Sequence, residues 1–548
     1  MILFSLPFLL TSKDDISNQD QNIYWARAYG KNSTNNNIGY DIKPTKDGGF
    51  IITGLTWAYA SGGCDLWILK LSTKGEIEWQ KTYGGSGYDG YWRVDIHQTD
   101  DEGYIVAADT TSFGSMQGKI WILKLSPSGD IRWQKIYGGF QNDYPGDIQI
   151  TDDGGFIVVG IAYGPDRNYD MWVLKLTHDG EIEWQKLFGD SNWQEGNSIQ
   201  QTSDGGFIVS GVSSGSGYDS WILKLDSTGD IQWQKYLSGD GRIAYLTHFC
   251  RIFPTNDGGY ILVESTDIFG VGEHDIWLLK LNASGDIQWQ KTYGGSETEA
   301  PGYVNSAQQT NDGGYILTGL TYSFGTENFS CWLLKLDNQG VIEWQKIYKG
   351  TPGENKQPFA IYQVASGDLI VSGYEGLQGK YGYLFLKLSE DGEISSACDF
   401  FKDTHGKTSK TEISLFDLNA NISAWDITPQ TTNAVPQDTF ADSNLICWNL
   451  CQPPENITLA NEINRSLFRK ETYLRLNWSP NPYNNQFAIT EYRIYSEYAG
   501  KYELIGSVSG NTYEYRAGPF SGGEDVKYVI TSVDAEGNES PKSQTVES

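Results

Sequence analysis

The chain is poor in the side chains on which most enzymes, nucleic-acid binders and membrane proteins rely. Its 548 residues hold only five histidines, His97, His178, His248, His274 and His405, and none forms a metal-ligand pattern such as His-Glu-x-x-His. Basic residues are scarce: 40 Lys and Arg stand against 69 Asp and Glu, a net charge of −29. A surface of that sign repels phosphate backbones and anionic headgroups, which argues against nucleic acid and membrane surfaces as partners. Charged residues are only 20% of the chain, and no segment carries the 3.6-residue periodicity of a long amphipathic helix. Long apolar runs are missing as well. The one candidate, Ile2 to Leu10, is too short to cross a bilayer. It resembles the core of a secretory signal without its basic start. Residues 1–22 are therefore expected to be a signal-like or disordered N-terminus, and the protein to be secreted or held at the cell surface.

Cysteine is sparse too. Cys64, Cys250 and Cys331 stand singly, far apart, as expected of small buried or loop residues. Cys398, Cys447 and Cys451 lie around one segment and could supply a disulfide, Cys398 with Cys447 or Cys451. No second Cys/His pair accompanies them to make a zinc site.

What the chain has in quantity is glycine, tyrosine and tryptophan, 63, 34 and 19 residues, a composition of short strands and tight turns. These residues are written into a repeat. Gly-x-Ile-x-Trp-Gln-Lys recurs with its Trp at 79, 133, 184, 233, 289 and 344, and Trp25 stands one step earlier. Asp-Gly-Gly-Phe/Tyr runs in phase, beginning at Asp47, Asp153, Asp204, Asp257 and Asp312, with Asp101-Glu-Gly-Tyr as the second copy. Trp-x-Leu-Lys-Leu starts at Trp67, Trp121, Trp172, Trp221, Trp277 and Trp332, and Tyr383 begins an altered seventh copy. Each unit of about 50 residues reads as four short antiparallel strands, the pattern of a β-propeller blade. In the fourth unit the strands are expected at Ser198–Thr202, Phe207–Gly211, Trp221–Leu225 and Ile231–Lys235. Trp221, Leu223 and Leu225 share one strand face and Ile222 and Lys224 the other. An apolar row on each face is what packing between blades requires. Residues 23–396 thus read as a seven-bladed β-propeller, closed by the Trp25 strand pairing into the seventh blade. Residues 397–452, rich in Thr, Ser, Asn and Asp and ending in two cysteines, read as a linker or small subdomain.

On these motifs the chain resembles the secreted repeat propellers of environmental bacteria and archaea, written DGGYIVxG…DxWLLKLDxxGxIxWQKxYGG. Gly229 to Trp233 also looks like the tryptophan-docking motif of pyrroloquinoline-quinone propellers. Their vicinal cysteine pair has no counterpart here, so the likeness is read as shared packing. Residues 453–548 resemble a fibronectin type III domain, with Trp478 and Tyr528 at that family's core positions. The expected fold class is all-β, a seven-bladed β-propeller followed by a fibronectin type III-like β-sandwich.

No motif written once carries obvious chemistry. Gly211 to Gly215 satisfies Gly-x-Ser-x-Gly around Ser213, but between two strands rather than at a strand-to-helix elbow. The Asp-rich turns fall short of the spaced ligands of a calcium loop. No cofactor is predicted, with calcium open. Function is expected on the variable loops at the end opposite the Asp-Gly-Gly turns. Trp57, Tyr88, Tyr91, Trp92, Tyr144, Trp193 and Glu195 are the candidate ligand-binding residues there, with Tyr59, Asp89, Asp143, Tyr218, His274, Glu297 and Glu299 beside them. Rings stack on sugar C–H faces while carboxylates accept sugar hydroxyls. A second candidate is Asp41, Asp95 and Asp147, at one height on the innermost strand of three successive units. They could hold a metal, or each could accept a hydrogen bond from the neighbouring blade. The first reading of function is an extracellular, non-catalytic binding, adhesion or scaffold protein whose partner is a polysaccharide or a cell-surface protein. The alternative is a carbohydrate-active enzyme, a glycoside hydrolase or lyase on a propeller scaffold. A PQQ-like quinoprotein is third, by analogy alone.

Overall fold

The computed structural model describes residues 24–394 apart from short loop stretches (31–35, 115–116, 140, 165–167, 190–191, 215–218, 238–249, 268–269, 303, 325–328, 349–354 and 378–379). It also gives the path and pairing of the strands between 401 and 474, and most of 475–547. The signal-like N-terminus, Tyr218 and the disulfide among Cys398, Cys447 and Cys451 fall outside the described residues. Cys64, Cys250 and Cys331 are buried free thiols. No helix among the described residues is long and apolar enough to cross a membrane.

The fold is all-β. Seven antiparallel sheets follow one another, each led by one unit of the repeat: residues 37–83, 89–137, 144–189, 194–237, 251–294, 299–348 and 355–388. The seventh takes its fourth strand from the start of the chain, Trp25–Tyr29, beside Lys380–Leu388. In the fourth sheet the strands are Gln194–Gln201, Phe207–Ser213, Asp219–Leu225 and Ile231–Leu237, each reaching further toward the variable loops than the sequence pattern alone. The inner strands of the first four sheets are hydrogen-bonded in succession, and the seventh sheet meets the first, where the Tyr383 hydroxyl on its third strand donates to the Trp67 carbonyl at 3.2 Å. The arrangement is propeller-like.

Both faces of each sheet are apolar. Trp221, Leu223 and Leu225 pack with Val159, Met171 and Val173 of the third sheet, whereas Ile222 packs with Leu262 and Trp277 of the fifth. The Trp of each Trp-Gln-Lys strand meets the turn glycine of the next sheet. Gly229 (φ +79°) lies against the Trp184 ring, and Gly129, Gly285 and Gly392 lie against Trp79, Trp233 and Trp344. A tyrosine fixes the same contact: Tyr83, Tyr137 and Tyr293 donate to the carbonyls of Gly129, Gly180 and Gly340 at 2.6–2.7 Å. The repeated motif is a docking joint between sheets. The repeated lysine is accounted for as well. Lys224 is nearly buried, and its ammonium meets Asp204 of the Asp-Gly-Gly turn at 2.9 Å and the Leu225 carbonyl at 3.0 Å. Lys175, Lys280 and Lys335 meet Asp153, Asp257 and Asp312 in the same way.

The stretch after the repeats runs back around these sheets, giving each one an outer strand. Phe401–Asp403 pairs with the sixth sheet, Lys407–Lys410 with the fifth, Leu415–Phe416 with the fourth and Asn421–Ser423 with the third. Gln430–Thr431, Gln437–Asp438 and Ser443–Trp448 then join the second, first and seventh. Short strands suit an outermost position, where they cover edges that would otherwise pair with other chains.

The C-terminal unit has two sheets. Glu455–Arg465, Lys470–Ser479 and Glu514–Phe520 form one, and Lys501–Ser509, Glu491–Tyr498, Lys527–Val533 and Val546–Glu547 the other. Leu476, Trp478, Tyr492, Ile494, Tyr528 and Ile530 make one core between them.

Candidate functional site

The inner strands carry a recurring irregularity that decides where side chains emerge. In the first, third, fourth and seventh sheets one residue bulges from the inner strand: Tyr40, Gly146, Asn197 and Phe359 lie between the paired residues on either side. In the second sheet four residues do so. Asp89 pairs with Thr110 and Val94 with Ala108, so Gly90, Tyr91, Trp92 and Arg93 stand opposite Asp109 alone. An enlarged bulge breaks the alternation of the strand and re-aims its side chains. The buried Asp109 carboxylate anchors it by accepting the Trp92 amide N–H at 2.8 Å, and burial pushes the Asp109 pKa up to about 7.

This bulge is the centre of a row of rings. Trp57 meets Tyr91 edge-on at 6.4 Å, Tyr91 meets Tyr88 at 5.8 Å and Trp92 at 6.0 Å, and Trp92 meets Tyr144 at 5.3 Å. Tyr88, Tyr91 and Trp92 are 51%, 46% and 56% exposed. Five of the seven sequence-predicted ligand residues, from the loops of three sheets, therefore form one surface. The other two do not join it. Trp193 packs against the core between the fourth and fifth sheets. Glu195 turns inward to an ion pair with Arg93 at 3.0 Å, and also accepts from Asn197 at 3.0 Å. Burial raises the Glu195 pKa against the pull of Arg93.

The neighbouring acids also have local duties. Asp89 accepts from the Gly85 amide at 2.9 Å and from the hydroxyls of Ser112 and Thr110. Asp143 accepts from Gly139 and Tyr163, and Glu299 from Gly295 and Thr321. These carboxylates hold the loops in shape.

Nearer the centre, Asp41, Asp95 and Asp147 do come together. Each accepts the amide N–H of the next sheet: Ile96 to Asp41 at 3.5 Å, Ile148 to Asp95 at 3.4 Å and Ile199 to Asp147 at 3.0 Å. Cations surround them. Lys43 lies 3.1 Å from Asp41 and 3.5 Å from Asp95, and also donates to the Tyr362 hydroxyl. Arg251 approaches Asp147 to 4.0 Å, and Asn305 donates to Asp41 at 2.8 Å. Burial raises the Asp41 pKa and lifts Asp147 to about 7, whereas Lys43 and His97 hold Asp95 below the usual range. Carboxylate and imidazole atoms of Asp95, His97 and Asp147 lie within 4.8 Å of one another, a donor set of the kind a divalent ion takes. Asp147 and Arg251 also line a small recess with Asn197, Ser198 and Pro301. Sequence reasoning missed Lys43, Arg93, His97 and Tyr362. The available signal was strand alternation, since Lys43 and His97 stand two residues after Asp41 and Asp95.

No protein-family model and no curated protein matches the chain. Solved structures give distant likenesses. A family 43 glycoside hydrolase, YxiA of Bacillus licheniformis, is 11% identical over 64% of this chain and 97% of its own, with a TM-score of 0.27. A bifunctional GH43-CE protein of Bacteroides eggerthii is 10% identical over 68% and 62%, with a TM-score of 0.26. A β-1,2-glucanase of Parabacteroides distasonis is 12% identical over 56% and 37%, with a TM-score of 0.14. At these TM-scores the likenesses carry no argument about this chain, and its function is argued from its own residues.

Proposed function

We propose that this is an extracellular polysaccharide-binding protein, a seven-bladed β-propeller followed by a fibronectin type III-like sandwich. The observation that carries the reading is the ring surface of Trp57, Tyr88, Tyr91, Trp92 and Tyr144. Three of its rings are about half exposed, and a four-residue bulge carries two of them, Tyr91 and Trp92. Exposed contiguous aromatics on a folded surface mark a binding site. Rings are rigid and amphipathic, so they gain contact area at little entropic cost. A sugar chain offers a succession of C–H faces to stack on them and hydroxyls for the polar atoms between. The acidic surface disfavours polyanionic glycans and leaves neutral ones preferred.

A second reading, glycoside hydrolysis, rests on the Asp95 and Asp147 pair. Their carboxylates stand side by side, with oxygens within 4.8 Å of each other, and burial raises the Asp147 pKa while Lys43 and His97 lower that of Asp95, the divergence an acid and a base require. Against it, both carboxylates are already engaged by backbone amides and by Lys43 or Arg251.

The test is a glycan array probed with the full chain and with Tyr91→Ala and Trp92→Ala, followed by product analysis on any glycan bound. Binding lost in both variants without product supports the first reading. Product that Asp95→Asn or Asp147→Asn abolishes supports the second. Binding unaffected by either ring substitution overturns the assignment of the surface.

A further inference from the structure

In the first, second and fifth sheets the start of the third strand faces the start of the next sheet's inner strand, and the residues at these two positions differ. In the second sheet they are Lys119 and Asp143. The Lys119 ammonium sits among three oxygens: Asp143 Oδ2 at 3.2 Å, the Gly118 carbonyl at 3.1 Å and the Gln141 carbonyl. The backbone here accepts a cation, and this sheet supplies one from its own chain.

In the first sheet the same two positions are Asp65 and Asp89, and in the fifth they are Asp275 and Glu299. The backbone follows the same course in all three. Asp89 N–H donates to the Cys64 carbonyl, Asp143 to Gly118 and Glu299 to His274, each at 2.8–2.9 Å. The first and fifth sheets also share an isolated parallel bridge, Cys64 with Tyr88 and His274 with Thr298. Two acids therefore replace an acid and a lysine. A Cβ on Gly84 would collide with both Asp65 Oδ1 and Asp89 Oδ2, and one on Gly294 with Asp275 Oδ1 and Glu299 Oε2, so each pair converges on one point. Asp65 and Asp275 are each 1% exposed, and their Oδ1 atoms have no hydrogen-bond donor among the described residues. Burial and the facing acid raise the Asp65 pKa to about 6, and burial with Glu299 raises that of Asp275. An orphaned buried carboxylate oxygen aimed at a second acid carries a substantial cost.

We propose that each of these two pairs binds a hard divalent cation of the calcium type, in the place that the Lys119 ammonium takes in the second sheet. The ligands are Asp65 and Asp89 with the carbonyls of Cys64 and Gly87, and Asp275 and Glu299 with the carbonyls of His274 and Glu297. All are oxygens, the donor set calcium prefers, and water from the loop surface fills the remaining positions. The first site ties down Asp89, next to the exposed Tyr88. It is separate from the central Asp41, Asp95 and Asp147 cluster, where Lys43 and Arg251 already provide positive charge.

The experiment is calcium chloride titration of the chelator-treated full chain at pH 7.5, by calorimetry and by thermal unfolding. Two bound ions and a rise in Tm that EDTA reverses are expected. Asp65→Lys and Asp275→Lys, copying the second sheet, should each remove one ion while keeping the fold. Asp89→Asn and Glu299→Gln repeat the test with smaller changes. No heat and no Tm shift up to roughly 10 mM calcium, far above the range of extracellular calcium modules, would overturn the proposal. So would a stoichiometry that none of these four variants alters. A pair that merely shares a proton gives stabilisation on acidification with no response to calcium, which also overturns it.

Discussion

Gly229 and Gly205 have the same backbone conformation and different surroundings, which makes them a controlled pair. Both have φ of +79°, but a Cβ on Gly205 meets nothing within 4 Å, whereas one on Gly229 stands 2.7 Å from Cζ3 of Trp184. Gly205→Ala should cost only the left-handed strain of an L-residue, about 1 kcal/mol. Gly229→Ala adds the overlap with a ring wedged between the third and fourth sheets, about 1–3 kcal/mol more for an overpacked contact. The total is about 2–4 kcal/mol. The assay is urea denaturation followed by tryptophan fluorescence, comparing midpoints at unchanged slope. In a Trp184→Ala background the extra cost of Gly229→Ala should vanish, since the atom it strikes is gone. Equal midpoints for the two alanine variants would refute the docking-joint account of the repeated motif.

Two further outcomes follow from buried groups and from the outer strands. Glu264 is fully buried and accepts from the Ser220 hydroxyl at 2.6 Å, and burial lifts its pKa from 4.5 to about 8. Because the folded pKa is the higher one, stability is complete below pH 4.5 and declines as pH rises toward 8. Glu264→Gln should flatten that decline and raise stability at pH 8, by on the order of a few kcal/mol, read from Tm against pH. A chain ending at residue 394 should expose the outer edges of the sheets that residues 401–448 cover. It should associate at concentrations where the full chain does not, as measured by light scattering.

Much of the architecture was legible because it is repeated. Six copies of Trp-x-Leu-Lys-Leu, the altered seventh copy Tyr383-Leu-Phe-Leu-Lys-Leu and the recurring glycine turn show strand length, alternation and period without reference to anything distant in the chain. Trp221 and Ile222 face opposite ways because a strand leaves no other choice. The candidate surface was half legible. Aromatics in variable loops were worth naming, and five of them do meet, but Trp193 and Glu195 carry the same chemical labels and turn inward. The difference lies in the bulge opposite Asp109, which depends on the register of two strands and leaves no mark in composition.

The amino-acid order by itself determined the all-β class, the four-stranded unit and the apolar faces, since these follow from alternation and period within one unit. Only the tertiary structure decided the rest. It set acids of successive sheets against amides of the next, put Lys43 and Arg251 beside them, and laid residues 401–448 along the outside of all seven sheets in reverse order. It also placed Asp65 facing Asp89 where the second sheet places Lys119 facing Asp143. Those partners lie about 20 to 420 residues apart, and only the folded backbone brings them together.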